Sequence, residues 1–260
     1  MIKARCIPDG EVVASMTNTG VINLYNIPEI GQIKSGEKLD SGKDELLRLK
    51  TKLNGLKDES FALSWNKQRK GLLTSASQTT ICVWDTPKAS EPSIQIDDAH
   101  ADTINDVKFS PDGDLLISTA DDGHFKIWDL RQDTKKFTMA YHAASDEGDS
   151  LCVGQFNPNN TNVFAVAGSA SGEIQIWDMR MPQSEINSFS FHSSQVTLLE
   201  WCPNQENILA SGSDDKKIYI WDQSQNGSEQ ARQDYEDGPP ELIFPHQYHT
   251  SVIEDIQWIP

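Results

Sequence analysis

Residues 115–131 read LLISTADDGHFKIWDLR, and this stretch decides the architecture. LLIST reads as a strand, ADDG has the composition of a tight turn, and FKIWD alternates as a returning strand. Gly123 can take the positive backbone angle that such a turn needs. Phe125, Ile127 and Trp128 are large β-formers expected to pack between neighbouring sheets. The returning strand recurs as ICVWDTP, IQIWDMR and IYIWDQS, with tryptophans at 84, 128, 177 and 221, and a weaker copy, VINLYNIP, ends near Tyr25. A second recurring element alternates with it: ALSWN at 62–66, DVKFSP at 106–111, VGQFNP at 153–158, LLEWCP at 198–203 and DIQWIP at 255–260, with ARCIPDG at 4–10 as a further copy. A period near 44 residues, short strands and Trp-Asp endings identify WD repeats, each one four-stranded blade of a β-propeller. The expectation is an all-β chain of five blades plus the first strand of another.

The repeats also predict a polar network inside each blade. His100, a hydroxyl at 118 or 119, Asp122 and Trp128 form one set; His192, Ser211 or Ser213, Asp215 and Trp221 form another. Ser, His and Asp together are also the grouping of a hydrolase triad. Catalysis needs such a set once, whereas a scaffold needs it in every blade. The same offset separates His100 from Phe109, His192 from Trp201 and His249 from Trp258, which favours the scaffold. No P-loop, HExxH or GxSxG occurs, so neither an enzyme nor a cofactor or metal site is expected. Two repeats depart from the pattern: Leu56 and Gln78 replace the His and Asp in one, and Ser171 replaces the Asp in the other. In that other repeat His142 stands fourteen residues before Phe156. These two blades are expected to rest mainly on apolar packing. The extra residues in HAASDEGDSLCVGQF carry Asp146, Glu147 and Asp149 into a loop, either solvated or facing a basic partner.

The 260 residues carry 22 Lys plus Arg against 39 Asp plus Glu, a net charge of −17. That charge disfavours direct contact with nucleic acid or an anionic membrane and favours basic partners. No apolar run is long enough to span a bilayer, and the N-terminus has no signal-peptide pattern. Cys6, Cys82, Cys152 and Cys202 are scattered through apolar runs, as buried reduced thiols would be. The sequons at Asn159 and Asn226 mean little without an export signal. Residues 31–43 read as a mobile loop, and 44–53 as a short amphipathic helix through Leu46, Leu49 and Leu53 or as an outer strand. Residues 229–241, EQARQDYEDGPPE, form an acidic double-proline loop that runs directly into LIF.

The order and details of SASQTTICVWD, FNPNNTNVFAVAGSASGEIQIWDMR, WCPNQENILASGSDDKKIYIWD and above all EDGPPELIFPH…HTSVIEDIQWIP resemble the retinoblastoma-binding WD-repeat histone chaperones. These comprise the small subunit of chromatin assembly factor and the accessory subunit of the type B histone acetyltransferase. The resemblance covers essentially the whole chain. It implies a seven-bladed ring with a preceding helix, of which this sequence supplies the second blade to the start of the seventh, as a fragment or an incomplete gene model would.

It further implies a nuclear, and also cytoplasmic, non-catalytic scaffold. Its partners would be histones H4 and H3 and acetyltransferase, deacetylase, methyltransferase or chromatin-assembly subunits. Asp234, Glu236 and Asp237 would face the basic first helix of histone H4, Pro239 and Pro240 would stiffen the loop, and Leu242, Ile243 and Phe244 would add apolar contact. A second, H3-tail face is implied around Glu59, Phe61, Asn105 and Gln195. There Phe61 lacks the family's tyrosine hydroxyl and Asn105 and Gln195 replace glutamates. With Cys152 and Ile2 replacing asparagines, this face is expected to be weakened or retuned. Alternative readings are a ribosome-assembly WD-repeat chaperone and a cullin ubiquitin-ligase substrate receptor. The second draws on the WDxR patterns ending at Arg131 and Arg180.

Overall fold

The computed structural model describes residues 4–8, 10–27, 48–58, 62–132, 137–144, 149–168, 171–230 and 238–259. Among them the chain forms five four-stranded antiparallel sheets and no α-helix. Blade 1 comprises β1 (Ala4–Cys6), β2 (Val12–Met16), β3 (Ile22–Asn26) and β4 (Arg48–Leu53). Blade 2 comprises β5 (Ala62–Trp65), β6 (Leu72–Ser77), β7 (Thr80–Asp85) and β8 (Ile94–Ile96). Blade 3 comprises β9 (Ile104–Phe109), β10 (Leu115–Ala120), β11 (His124–Asp129) and β12 (Met139–His142). Blade 4 comprises β13 (Leu151–Phe156), β14 (Val163–Gly168), β15 (Glu173–Asp178) and β16 (Asn187–Ser190). Blade 5 comprises β17 (Val196–Trp201), β18 (Ile208–Ser213), β19 (Ile218–Asp222) and β20 (Leu242–His246). Gly123 closes the β10–β11 turn at φ 71°, as its position requires.

The core lies between blades rather than within them. Trp84 clusters with Met16, Ile22 and Leu24 of blade 1, and Trp128 with Ile81 and Val83 of blade 2. Trp177 clusters with Phe125 and Ile127 of blade 3, and Trp221 with Ile174 and Ile176 of blade 4. Each Trp-Asp ending therefore packs on the blade before it, so no blade completes its core alone. A second set of tryptophans links the inner strands. The Trp65 indole donates to the Arg5 carbonyl at 2.9 Å, and that of Trp201 to the Gln155 carbonyl at 3.1 Å.

Trp258 makes the corresponding bond to the Glu200 carbonyl at 2.9 Å. Residues 252–259 thus take the inner place of a sixth unit, but they are not a strand, correcting the expected opening strand. No described residue pairs with them in a ladder, so extended geometry is not imposed there. Arg5 reaches Asp255 through two bonds of 3.0 and 3.2 Å, which joins this segment to blade 1 as well as to blade 5.

Three further expectations are resolved. Residues 48–53 are the outer strand β4, not a helix, because they pair with β3. Cys6 is exposed rather than buried, while Cys82 is fully enclosed, and burial pushes its thiol up to about 12. Asp149 is only 8 % exposed, so it is no solvated loop residue; Asp146 and Glu147 lie outside the described residues, as does 31–43.

Candidate functional site

The acidic loop is best read from its base. Gln230 Nε2 donates to the Gly238 carbonyl at 3.0 Å, so the chain leaves and returns at one point. Gly238 has φ 120°, and a Cβ there would lie 2.7 Å from Leu242 Cδ2 and 3.3 Å from the Phe191 ring; only glycine fits. Pro239 and Pro240 follow, both half-buried, and the Leu242 N–H donates to the Pro239 carbonyl at 2.9 Å. The Asp222 N–H donates to the Glu241 carbonyl at 2.8 Å, which fastens the returning chain to β19. Leu242 then packs on the blade 4–5 core.

The ladder slips between Ile220 and Trp221, a bulge that leaves Ile243 unpaired. Ile243 and Phe244 are each 51 % exposed, an apolar pair on an outer strand. Pro245, with no N–H to offer, blunts the edge. Asp234, Glu236 and Asp237 themselves lie outside the described residues.

The second candidate surface is built by bulges at the start of the inner strands. The register of β9 with β10 and of β13 with β14 slips, which leaves Asn105 and Cys152 without ladder partners. Asn105 Nδ2 donates to Asp121 Oδ1 at 2.7 Å and to the Leu151 carbonyl at 3.0 Å. Gln195 Nε2 donates to Asp214 Oδ2, and Cys152 Sγ lies 4.0 Å from Gln195 Oε1. Burial first, and then the charges of Asp121, Asp214 and Asp149, push the Cys152 thiol up to about 11, so it stays protonated at neutral pH. The Asn105 and Gln195 amides each hold an aspartate. Asp121 and Asp214 were not foreseen as part of this surface, although the doubled aspartates in ADDG and SDDK are the signal that could have found them. Glu59, Phe61 and Ile2 lie outside the described residues.

The blade networks have the geometry of a hydrolase triad but none of its access. His100 Nδ1 lies 3.0 Å from Asp122 Oδ2, and His100 Nε2 lies 2.8 Å from Ser118 Oγ. The Trp128 indole donates to the same Ser118 Oγ at 2.9 Å. His192, Ser211, Asp215 and Trp221 repeat the set at 2.9, 2.7 and 2.8 Å. Ser118 and Ser211 are wholly buried, so no substrate reaches either hydroxyl. Burial lowers both imidazoles despite the neighbouring carboxylate, which fits neutral rings donating from Nδ1 and accepting at Nε2. Burial alone would raise Asp122 and Asp215, but the histidines and the Ala101 and Ser193 N–H groups hold both below the usual carboxylate range.

The two divergent blades, expected to rest mainly on apolar packing, lack the His–Asp set but still give their tryptophan indole a partner. In blade 2 the Trp84 indole donates to the Asn54 carbonyl at 2.8 Å. In blade 4 the Trp177 indole donates to Gln175 Oε1 at 3.2 Å, and Gln175 Nε2 donates to the Ala143 carbonyl at 3.0 Å. A buried indole N–H without a partner would be costly, so each blade supplies a different acceptor. His142 lies at the exposed end of β12, outside any such network. The WDxR arginines fold onto their own repeat: Arg131 and Arg180 each grip the aspartate two residues earlier, with closest bonds of 2.8 and 2.6 Å. That is a blade-end role.

A family model described as "Nucleolar protein 10-like, N-terminal domain", a β-propeller, matches residues 63–238. The chain belongs to this β-propeller family. Across nearly its full length it is also similar to two proteins named "Histone acetyltransferase type B subunit 2". The one from Debaryomyces hansenii is 30 % identical over 99 % of this chain and 61 % of the relative. The one from Candida glabrata is 28 % identical over 98 % of this chain and 57 % of the relative. These are the accessory subunits that the sequence motifs resemble, and the chain spans about three-fifths of their length. A chain of a structure titled "Crystal Structure of Mitotic Checkpoint Complex" superposes with a TM-score of 0.73, covering 96 % of this chain and 65 % of that one. At 19 % identity that likeness concerns the fold alone.

Proposed function

We propose that this propeller is a non-catalytic, histone-binding scaffold subunit of chromatin-modifying or chromatin-assembly complexes, working in the nucleus. One observation carries the reading: Gln230 and Gly238, which flank the acidic sequence 231–237, are bonded to each other, and the chain then runs straight into an outer strand that exposes Ile243 and Phe244. An acidic segment followed in sequence by an exposed apolar strip suits an amphipathic basic helix, with charge steering the approach and the apolar contact holding it. The first helix of histone H4 is such a ligand. Asp234, Glu236 and Asp237 supply the charge, and Pro239 and Pro240 limit the entropy lost on docking. Similarity to type B histone acetyltransferase subunits over nearly the whole chain supports this assignment. Asp121 and Asp214, held by Asn105 and Gln195, keep the inner-strand face acidic enough for a basic tail such as that of histone H3.

The test is binding of the full chain to an H4 first-helix peptide and to H3–H4 at physiological salt. Charge reversal at Asp234, Glu236 and Asp237 is expected to weaken the peptide by at least about tenfold, with Phe244→Ala lowering affinity independently. Unchanged affinity in both variants removes the reading.

A second reading, a ribosome-assembly chaperone, is favoured by the nucleolar description of the matching family over residues 63–238. It predicts that the chain ignores H3–H4 and captures a basic ribosomal protein instead.

A further inference from the structure

Asn-Gly occurs twice, at 54–55 and 226–227, and the fold treats the two pairs in opposite ways. Asparagine followed by glycine is chemically fragile, because the glycine nitrogen, unshielded by a side chain, can attack the preceding carboxamide. Attack requires the linking peptide to rotate until that nitrogen faces Cγ.

At 54–55 this rotation is blocked. The Asn54 N–H donates to the Ser90 carbonyl at 3.0 Å, and the Asn54 carbonyl accepts from the buried Trp84 indole at 2.8 Å. Asn54 Nδ2 donates to Glu91 Oε1 at 3.4 Å. Gly55 is hemmed by the Pro92 ring, which a Cβ there would meet at 3.0 Å, and by Trp84 at 3.5 Å. Turning the 54–55 peptide would break the indole bond, leave a buried donor empty and push against Pro92.

At 226–227 no described residue opposes it. Both residues are exposed just beyond the 3-10 turn Gln223–Gln225. Asn226 has φ −55° and ψ 126°, Gly227 has φ 71°, and no atom lies within 4 Å of where a Gly227 Cβ would stand. The Asn226 N–H donates to the Gln223 carbonyl at 3.3 Å and the Ser228 N–H to the Gln225 carbonyl at 2.9 Å. Neither the Asn226 carboxamide nor the Gly227 N–H has a partner among the described residues.

We infer that Asn226 is a self-modification site, where the chain converts its own carboxamide to a carboxylate because the fold leaves the Asn226–Gly227 peptide free to turn. The Gly227 nitrogen loses its proton and bonds to Asn226 Cγ, and Nδ2 leaves as ammonia, which closes a succinimide. Water then adds to either ring carbonyl and reopens the ring as aspartyl or isoaspartyl, with no change in oxidation state. Either product places a further negative charge three residues before the acidic loop 229–241. The isoaspartyl form also lengthens the backbone by one methylene. The inference does not depend on the proposed histone binding.

The experiment is peptide mapping by mass spectrometry of the full chain, aged in mildly alkaline buffer with and without denaturing urea. In the folded chain Asn226 is expected to convert at least about tenfold faster than Asn54, the ratio that one retained buried hydrogen bond provides. In urea the two rates should converge, because the sequence context is then the same Asn-Gly pair. Gly227→Ala should slow conversion at 226 and leave Asn54 unaltered. The inference is overturned if the two sites convert equally in the folded chain, or if Asn54 leads. It is equally overturned if Asn226 survives in the folded chain while converting in urea, or if the gap persists unchanged in urea.

Discussion

Trp128 is 2 % exposed, and its indole N–H ends on a serine oxygen that is itself shielded from water. The residue fills the gap between blades 2 and 3 and closes the His100–Ser118 network, so both shape and polarity depend on it. Trp128→Ala is expected to cost about 3–5 kcal/mol, measured by urea unfolding, through the cavity left in the blade 2–3 core. A loss typical of a surface site would contradict the blade assignment. The sequence named this tryptophan, its histidine and its aspartate correctly, and left the hydroxyl open between 118 and 119. The strand decides between them: adjacent side chains point to opposite faces, and Ser118 is the one that faces His100.

At the scale of one element, blade 4 shows how a repeat survives losing its signature. Gln175 stands on β15, two residues before Trp177, and uses both ends of its carboxamide: Oε1 accepts from the indole, and Nε2 donates to the Ala143 carbonyl. Gln175→Leu keeps the strand but orphans the indole donor and the carbonyl. The expected loss is about 1–3 kcal/mol in equilibrium unfolding, where an exposed strand position would tolerate leucine. A neutral result would show that the Gln175 bonds contribute nothing beyond the apolar packing of blade 4. The sequence could not announce this arrangement. A glutamine at a half-buried strand position looks like a solvent-facing residue until the neighbouring blade supplies the second partner. β20 carries the same lesson. Its place as a strand was legible from LIF, but the bulge that turns both Ile243 and Phe244 outward depends on pairing with β19.

Across the whole molecule, two buried imidazoles and their aspartates make stability depend on pH. Burial holds His100 and His192 below the ordinary imidazole value, so as pH falls the unfolded chain takes up protons that the folded chain refuses. Stability is therefore full above about pH 6.5 and is lost as pH falls below it. Asp122 and Asp215 are also lowered, so their contribution persists to lower pH and is lost only below the usual carboxylate range. Both act in one direction. Melting temperature should fall as pH drops from 7 to 5, and changing both His100 and His192 to Gln should flatten that slope while lowering stability at pH 7. A double variant with the wild-type slope would show that the histidines do not govern it. The Arg5–Asp255 pair joining blade 1 to the 252–259 segment is exposed on both sides, so it adds little in water, of order 0–1 kcal/mol. The buried Ile253 and the Trp258 bond to Glu200 hold that segment.

The amino-acid order alone determined the repeat, the strand content and the acidic balance, because periodicity, turn chemistry and net charge are properties of neighbours along the chain. It also marked the double-proline loop as unlike an ordinary linker. Only the tertiary structure decided which polar atoms meet between blades, that Asn105 and Gln195 each hold an aspartate, and that one Asn-Gly pair is locked while the other is free. Those outcomes depend on hydrogen bonds and contacts between residues far apart in sequence, and such partners become visible only when the blades stack.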